Sequence, residues 1–123
     1  HIRREKAGSN VCSNEALCAL TASVYLAAMG PEGLREVASQ CYSKAHYLQS
    51  ELAKIGLTQA HEGEFFDEFV TSSPNSEKIL DALEEKGFRG GLPLFGNKIL
   101  WCATEMNTMD EIDALVAIVK EAL

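Results

Sequence analysis

The sequence predicts an α+β fold in which helices cover one face of a small antiparallel or mixed sheet. Three observations carry this prediction. Apolar residues recur at helical spacing through most of the chain, two short aromatic or branched segments interrupt that spacing, and turn residues separate the elements. The predicted order is helix, helix, strand, helix, strand, helix, which is typical of helices layered on a sheet. At 123 residues the chain is long enough to bury one core.

The first two predicted helices meet at a glycine–proline pair. Gly30 occupies the position of a C-terminal cap, and Pro31 suits the first turn of the next helix. Apolar residues keep helical spacing from there to Gly56, so the second helix is predicted to be long and amphipathic. An apolar stripe runs along the first helix through Leu17, Leu20, Val24 and Tyr25. Further apolar residues spread around its circumference, so we expect missing chain or a second copy to cover it.

Two segments have the composition of strands. Phe65–Val70 mixes aromatic and acidic residues between turn residues, and Ile99–Ala103 contains Trp101 and reads as buried. A further short strand is expected near residues 57–60 or 92–95.

The last two predicted helices have start signals that can be read from the sequence. Asn75 or Ser76 can cap a helix that ends at Gly87. Thr108 and Glu111 have the spacing of a capping box, in which each side chain bonds a free backbone N–H of the other residue, ahead of the final helix.

The charge balance excludes some classes of protein. The chain has 18 acidic and 11 basic residues and a net charge of −7, which repels nucleic-acid phosphates. No apolar run approaches the roughly 20 residues of a membrane span, so we expect no membrane-spanning segment or anchor. Four cysteines lack metal-site spacing and are interpreted as reduced thiols in a cytosolic core, and no metal site is predicted. Since the first residue is not Met, we expect a fragment.

The opening stretch is the first candidate site. The cations Arg3, Arg4 and Lys6 precede Ser9 and Asn10, at the expected start of a helix. Free N–H groups and positive charge at that position could bind a phosphate or carboxylate. The alternative is an exposed basic tail followed by an ordinary N-cap.

Three other features are weaker candidates. The first is an acidic stretch that contains His61, Glu62, Glu64, Asp67 and Glu68. These side chains could supply metal ligands or an acid/base pair. Because side chains alternate between the two faces of a strand, a solvated strand edge is the favoured interpretation. Arg89 beside Gly90 and Gly91 could bind a substrate carboxylate, although a turn is the favoured interpretation. None of the lysines lies in the desolvated, small-residue setting that lowers the pKa of a Schiff-base lysine.

The segments HIRREKAGSNVCSNEAL and YLAAMGPEGLREVA resemble the glycine cleavage system P-protein family, in particular the alpha subunit of its split bacterial form. The later segments EFFDEFV and TEMNTMDEIDALV resemble the same family in the same order. The family's opening stretch reads close to HIRREKATSNICTNQAL. This chain departs from it at Gly8, Val11, Ser13 and Glu15.

The resemblance implies a fold-type I pyridoxal-phosphate enzyme with its large cofactor domain N-terminal to His1. Residues 1–30 would form the junction with that domain, and residues 31–123 the small C-terminal domain. The whole enzyme would be a glycine-catabolic oxidoreductase of the bacterial cytoplasm that decarboxylates glycine and passes the aminomethyl group to the lipoyl arm of the H-protein. Pyridoxal phosphate would serve as its electron sink.

The resemblance also implies partners and site residues. The beta subunit and the remainder of the alpha subunit are the expected partners. The Schiff-base lysine belongs to the beta subunit in this family, so this chain should be inactive alone and bind no cofactor covalently. Arg4, Lys6, Ser9 and Asn10 would lie near the subunit interface and help to shape the site. The alternatives are the small domain of an aminotransferase or cysteine desulfurase, and a free-standing ferredoxin-like interaction module.

Overall fold

The computed structural model describes residues 15–123, and its elements follow the predicted order. They are α1 (Ala16–Lys54), β1 (Glu68–Ser72), α2 (Ser76–Glu85), β2 (Leu92–Leu94), β3 (Lys98–Cys102) and α3 (Met109–Ala122). The chain divides into two compact units, of which the first ends at Arg35 and the second spans Glu36–Leu123.

Helix α1 contains the predicted glycine–proline break. Gly30 has φ 62° and ψ −178°, which are not helical values, and Pro31 follows it. Proline lacks an N–H and clashes with the preceding turn, so regular hydrogen bonding cannot run through this point, and glycine tolerates the positive φ. The two predicted helices are thus the segments 16–29 and 31–54 of one α1.

By length and composition alone, α1 is apolar enough to cross a membrane. Core helices of soluble proteins and signal sequences meet the same criteria. The break at Gly30 leaves residues 16–29 as the uninterrupted first segment, about 21 Å long at about 1.5 Å per residue. That length is short of a hydrocarbon layer about 30 Å thick.

The sheet is antiparallel, with strand order β1–β3–β2. Phe69 pairs with Trp101 and Thr71 pairs with Ile99, so these four side chains share the buried face. Both places expected to hold an extra strand pair with the sheet. Residues 92–94 form β2, and a single bridge joins Gln59 to Thr71.

The core lies on one face of the sheet, as predicted. Helices α1, α2 and α3 contribute to the buried cluster that packs on the inward residues of β1 and β3; its largest fully buried members include Leu52, Ile79, Leu83, Ile99, Trp101 and Val119. The Trp101 indole N–H donates to Thr71 Oγ1 at 2.8 Å. A buried polar pair is therefore satisfied within the core, so it carries no desolvation penalty for an unmade bond.

The prediction for the first strand was wrong at its start, because β1 begins at Glu68 and ends at Ser72. His46 explains the shift. Its ring stacks on Phe65 with centroids 4.0 Å apart, and its Nε2 lies 3.1 Å from the Phe65 carbonyl oxygen. Phe65 is thus held by helix α1, and its carbonyl bonds a side chain instead of a neighbouring strand.

Among the three described cysteines, the prediction that the thiols fill the core holds for Cys41, which is buried. Cys18 and Cys102 are exposed, and all three are free thiols. Cys102 alternates with the buried residues Trp101 and Ala103, so its side chain lies on the outer side of the strand. Cys12 lies outside the described residues.

Candidate functional site

The residues of the opening motif lie outside the part of the chain that the structure describes. This applies to Arg4, Lys6, Ser9 and Asn10, whose roles therefore remain predictions. The described candidates are the acidic stretch, the loop around Arg89 and the lysines.

The acidic stretch does not form a converging site. His61, Glu62 and Glu64 are exposed and precede β1, so the prediction that the stretch lies in a strand was correct only at its end. The Asp67 carbonyl accepts a bond from the Ala103 N–H at 3.3 Å, which makes this residue part of the approach to the sheet. Within residues 15–123 no group of three or more His, Cys, Asp or Glu side chains is placed to hold a metal ion.

Arg89 lies on the loop between α2 and β2, where it borders two grooves. The first is about 630 Å³ and is lined by Glu77, Leu80, Asp81, Glu84, Phe88, Arg89, Gly90, Gly91 and Pro93. The second is about 350 Å³ and extends from the same loop toward Leu48, Trp101, Asn107 and the start of α3. Arg89 is exposed. Among the candidates within residues 15–123, Arg89 lies beside grooves large enough for a small ligand.

The charges around Arg89 do not favour an anion equally in both grooves. The first groove has three carboxylates, Glu77, Asp81 and Glu84, on one side of α2. The ion pairs of the described residues are Arg35–Glu32 and Lys54–Glu51, so the Arg89 guanidinium has no carboxylate within 4.0 Å there. An anion in the first groove would face three like charges. The second groove, with the amide of Asn107 and the single carboxylate Glu111, is the better location for a carboxylate bound to Arg89.

Packing restricts both glycines beside Arg89, and the restriction is stronger at Gly91. A Cβ at Gly90 would lie 2.6 Å from Leu83 Cδ1, and a Cβ at Gly91 would lie 2.4 Å from Ile99 Cγ2. Gly91 also has φ +73°. The turn interpretation therefore accounts for both glycines without a bound ligand. The close approach of this loop to the core could not be read from the sequence.

The described lysines do not form a covalent cofactor site. The Lys44 ammonium donates to the Glu105 carbonyl at 2.7 Å, and Lys54 pairs with Glu51. Lys78, Lys86 and Lys120 are exposed, and Lys98 is half-buried at the start of β3. No lysine within residues 15–123 lines either groove beside Arg89. The residues from 15 to 123 thus do not fit the Schiff-base site of pyridoxal phosphate, which needs a lysine in a closed pocket beside the ring.

Two of the described thiols, Cys41 and Cys102, are not activated as nucleophiles. Burial raises the pKa of the Cys41 thiol, and its hydrogen bond to the Glu105 carboxylate, 3.2 Å between Sγ and Oε2, raises it further. Burial also raises the pKa of Cys102, to which the negative charges of Asp67 and Glu68 add. Since the thiolate is the reactive form, both cysteines are held in the unreactive state.

Aromatic residues at the surface form a cluster that the sequence analysis missed. His46 lies between Tyr42 and Phe65, with ring centroids 4.0 Å away on each side. Tyr42 and Phe66 remain about half exposed. The signal was the spacing of Tyr42 and His46, which are four residues apart on one helix face. Its visible effect is to hold residues 65–66 against α1.

Comparisons with known proteins identify the family. The protein family described as "Glycine cleavage system P-protein" matches residues 1–119 of the chain. The chain belongs to the P-protein family. The resemblance carried by the opening motif is therefore confirmed, and the aminotransferase and cysteine desulfurase alternatives are not supported.

Relatives and solved structures agree with this assignment. The probable glycine dehydrogenase (decarboxylating) subunit 1 of Moorella thermoacetica is 53% identical over 100% of this chain and 30% of its own length. The corresponding Thermotoga petrophila protein is 45% identical over 98% of this chain and 29% of its own. The chain thus spans about 30% of the length of these relatives.

Solved structures confirm the fold as well as the family. A crystal structure of inhibitor-bound glycine decarboxylase (P-protein) of the glycine cleavage system matches 99% of this chain and 29% of that chain, with a TM-score of 0.86 and 41% identity. A structure of SPT with PLP matches 68% of this chain and 23% of that chain, with a TM-score of 0.53 and 16% identity. The second likeness shows the fold alone, which is that of fold-type I pyridoxal-phosphate enzymes, as predicted.

Proposed function

We propose that this chain is the C-terminal part of the alpha subunit of a split bacterial glycine decarboxylase. The observation that carries the proposal is the match of the whole chain, at 53% identity, to 30% of a protein named as glycine dehydrogenase (decarboxylating) subunit 1. With the beta subunit, the complete enzyme decarboxylates glycine in the cytoplasm and transfers the aminomethyl group to the lipoyl arm of the H-protein.

The complete enzyme uses pyridoxal phosphate, which is bound covalently outside this chain. The misfit of the described lysines to a Schiff-base site supports this part of the proposal, as does the likeness of the fold to a structure with PLP. The Schiff-base lysine lies on the beta subunit. The contribution of this chain is then to complete the alpha subunit and shape the site at the subunit boundary.

Two groups of residues are proposed to act at that boundary. Arg4, Lys6, Ser9 and Asn10 combine charge, hydroxyl, amide and backbone donors within a short stretch, which suits an anionic ligand or an acidic surface of the partner. Arg89 is the candidate for a substrate carboxylate, since its guanidinium has no carboxylate partner among residues 15–123 and it borders the second groove.

A chimeric enzyme tests the proposed function. The matching segment of the Moorella thermoacetica subunit 1 is replaced by this chain, and the product is combined with the corresponding beta subunit, pyridoxal phosphate and lipoylated H-protein. The release of labelled carbon dioxide from glycine that carries the label in its carboxyl group is then measured. We expect the chimera to retain activity within about tenfold of the native pair, and a subunit lacking the segment to have none.

The isolated chain is the matched control. Incubated with pyridoxal phosphate and borohydride, it should acquire no stoichiometric adduct at a single lysine. A folded, assembled chimera without activity would contradict the proposed function, and a site-specific adduct on the isolated chain would contradict the placement of the Schiff-base lysine.

A further inference from the structure

Asn107 presents a free amide NH2 group at the second groove. The residue is half-buried and lines that groove. Its side-chain oxygen Oδ1 accepts a bond from the Thr104 N–H at 2.9 Å, and its backbone N–H donates to the Thr104 carbonyl at 3.2 Å. Because a backbone N–H bonds the oxygen of an amide and not its NH2 group, this contact fixes the orientation of the side chain. The NH2 group has no acceptor among residues 15–123 and is available to a ligand.

Arg89 supplies the positive charge of the same groove. Its guanidinium carries five N–H donors, and no carboxylate of the described residues lies within 4.0 Å of it. Of the described residues that line the groove, Arg89 is the one cation. Guanidinium and amide NH2 groups both donate hydrogen bonds, so Arg89 and Asn107 together suit the oxygens of a carboxylate.

Glu111 supplies the negative charge of the groove. Its Oε2 accepts the Thr108 N–H of the capping box at 2.8 Å, and its Oε1 has no donor within residues 15–123. The Lys44 ammonium donates to the Glu105 carbonyl at 2.7 Å instead. The capping box holds the Glu111 carboxylate at the start of α3, and no ion pair joins it to Arg89. A cationic and an anionic group therefore line one groove without neutralising each other.

The rest of the groove lining is largely apolar. Two helices, a strand and a loop contribute Leu48, Phe88, Trp101, Ile112 and Leu115. The volume of about 350 Å³ lies near the lower end of the range of ligand pockets, about 300–1,000 Å³. The groove therefore suits a small molecule that carries both charges and an apolar group.

We propose that the second groove binds a free α-amino acid with an apolar side chain, without a covalent bond. Arg89 and Asn107 bind its carboxylate, Glu111 binds its ammonium group, and the apolar lining contacts its side chain. The inference deepens the role of Arg89 in the proposed function and rests on it in that respect. What it adds is a second donor, a partner for the ammonium group and a preference for an apolar side chain.

Other classes of small ligand match the groove less well. A phosphate brings more negative charge than one guanidinium balances, and Glu111 opposes it. A simple carboxylate leaves Glu111 without a cationic partner. Glycine has both charged groups but no side chain to contact the apolar lining, so it is the smallest and weakest member of the proposed ligand class.

A titration of the chain with four matched probes tests the inference. The probes are L-leucine, glycine, isocaproate, which is leucine without its amino group, and isoamylamine, which is leucine without its carboxylate. Amide signals are followed by nuclear magnetic resonance. We expect leucine to bind saturably, with shifts concentrated in residues 87–91 and 107–111. The other three probes should bind at least about tenfold more weakly, since each lacks one of the contacts.

Substitutions assign each contact to its residue. Arg89→Ala should weaken the binding of leucine at least about tenfold. Asn107→Asp keeps an oxygen for the Thr104 N–H but removes the NH2 donor, so it should also weaken binding. Glu111→Gln keeps an oxygen for the capping box and should abolish the preference for leucine over isocaproate. That change of selectivity is a result that loss of stability does not produce.

Lys78→Ala is the matched loss of charge. Lys78 is exposed and lines neither groove, so its removal should leave the binding of leucine unchanged. The midpoint of denaturant unfolding is measured for every variant, which separates a lost contact from a lost fold.

Three results would overturn the inference: no saturable binding of leucine, equal binding of leucine and isocaproate by the wild type, or unchanged binding in folded Arg89→Ala. Failure here is separable from failure of the proposed function. An active chimera whose inserted chain binds no amino acid contradicts only the groove inference. An inactive, assembled chimera built from a chain that binds leucine contradicts only the proposed function.

Discussion

Gly91 is the position at which the backbone and the core jointly restrict the choice of residue. Its φ of +73° lies in the left-handed region, and a Cβ there would also meet Ile99 Cγ2 at 2.4 Å, in the fully buried core. We expect Gly91→Ala to lower the free energy of unfolding by about 2–4 kcal/mol, of which about 1–2 comes from the backbone and the rest from overpacking. Denaturant unfolding of the chain measures the loss.

Gly96 provides the matched control for this substitution. Its φ is +77°, but no atom lies within 4 Å of the position of a Cβ. Gly96→Ala should therefore show only the backbone term, about 1–2 kcal/mol. If Gly91→Ala proved no more destabilising than Gly96→Ala, the packing explanation for the glycine pair would fail, and a ligand-binding role would be the better explanation.

At the scale of the element, helix α3 depends on the capping box at its start. The Thr108 hydroxyl accepts a bond from the Glu111 N–H at 3.2 Å, and the Glu111 carboxylate accepts one from the Thr108 N–H at 2.8 Å. The backbone hydrogen bond from Thr108, followed by its hydroxyl, lowers the pKa of Glu111. The charged carboxylate is thus favoured in the folded state, where it satisfies a donor that the helix leaves free.

The pH dependence of this box has a defined sign. Because the folded pKa is lowered, the contribution of Glu111 to stability is present above the unfolded pKa of about 4.3 and is lost as the pH falls through the folded value. Glu111→Gln should therefore be less stable than the wild type at pH 7, and the difference should shrink toward pH 3. Thermal unfolding across this range measures the effect.

Asp110 is the control position in the same turn. It is exposed, as Glu111 is, but no hydrogen bond to its carboxylate is found within residues 15–123. Asp110→Asn should retain the capping box and show a smaller difference from the wild type at pH 7. Equal effects of the two substitutions would attribute the role of Glu111 to general charge at a helix start.

At the scale of the whole molecule, the opening motif is predicted to act only in the assembled enzyme. Arg4→Ala with Lys6→Ala in the alpha–beta complex should lower glycine decarboxylation at least about tenfold, equivalent to about 1.4 kcal/mol. The physical reason for this prediction is the loss of two cations close to Ser9 and Asn10, a combination that suits an anionic ligand or an acidic surface of the partner. Activity and subunit association are measured together, because an assembly role lowers both, whereas a site role leaves association intact.

Arg35 provides a matched loss of charge. It is exposed and, within residues 15–123, its ion pair is with the exposed Glu32, at 2.7 Å; such surface pairs contribute about 0–1 kcal/mol. Arg35→Ala should leave both activity and association unchanged. Unchanged activity and association in the Arg4 and Lys6 double variant as well would restore the solvated-tail alternative.

The elements that the sequence predicted correctly are those governed by neighbouring residues. Gly30 and Pro31 interrupt α1, and Thr108 with Glu111 begins α3, because capping and backbone restriction act within one turn of chain. The α+β class followed from periodicity for the same reason. The family followed from the opening motif, although its residues lie outside the described part of the chain.

Tertiary structure decided the features that depend on residues far apart in the sequence. His46 moves the start of β1 by holding Phe65, and Ile99 makes Gly91 necessary. The exposure of Cys102 follows from which face of β3 meets the helices. Each outcome is set by which side chains become neighbours after folding, and local periodicity does not record those distances.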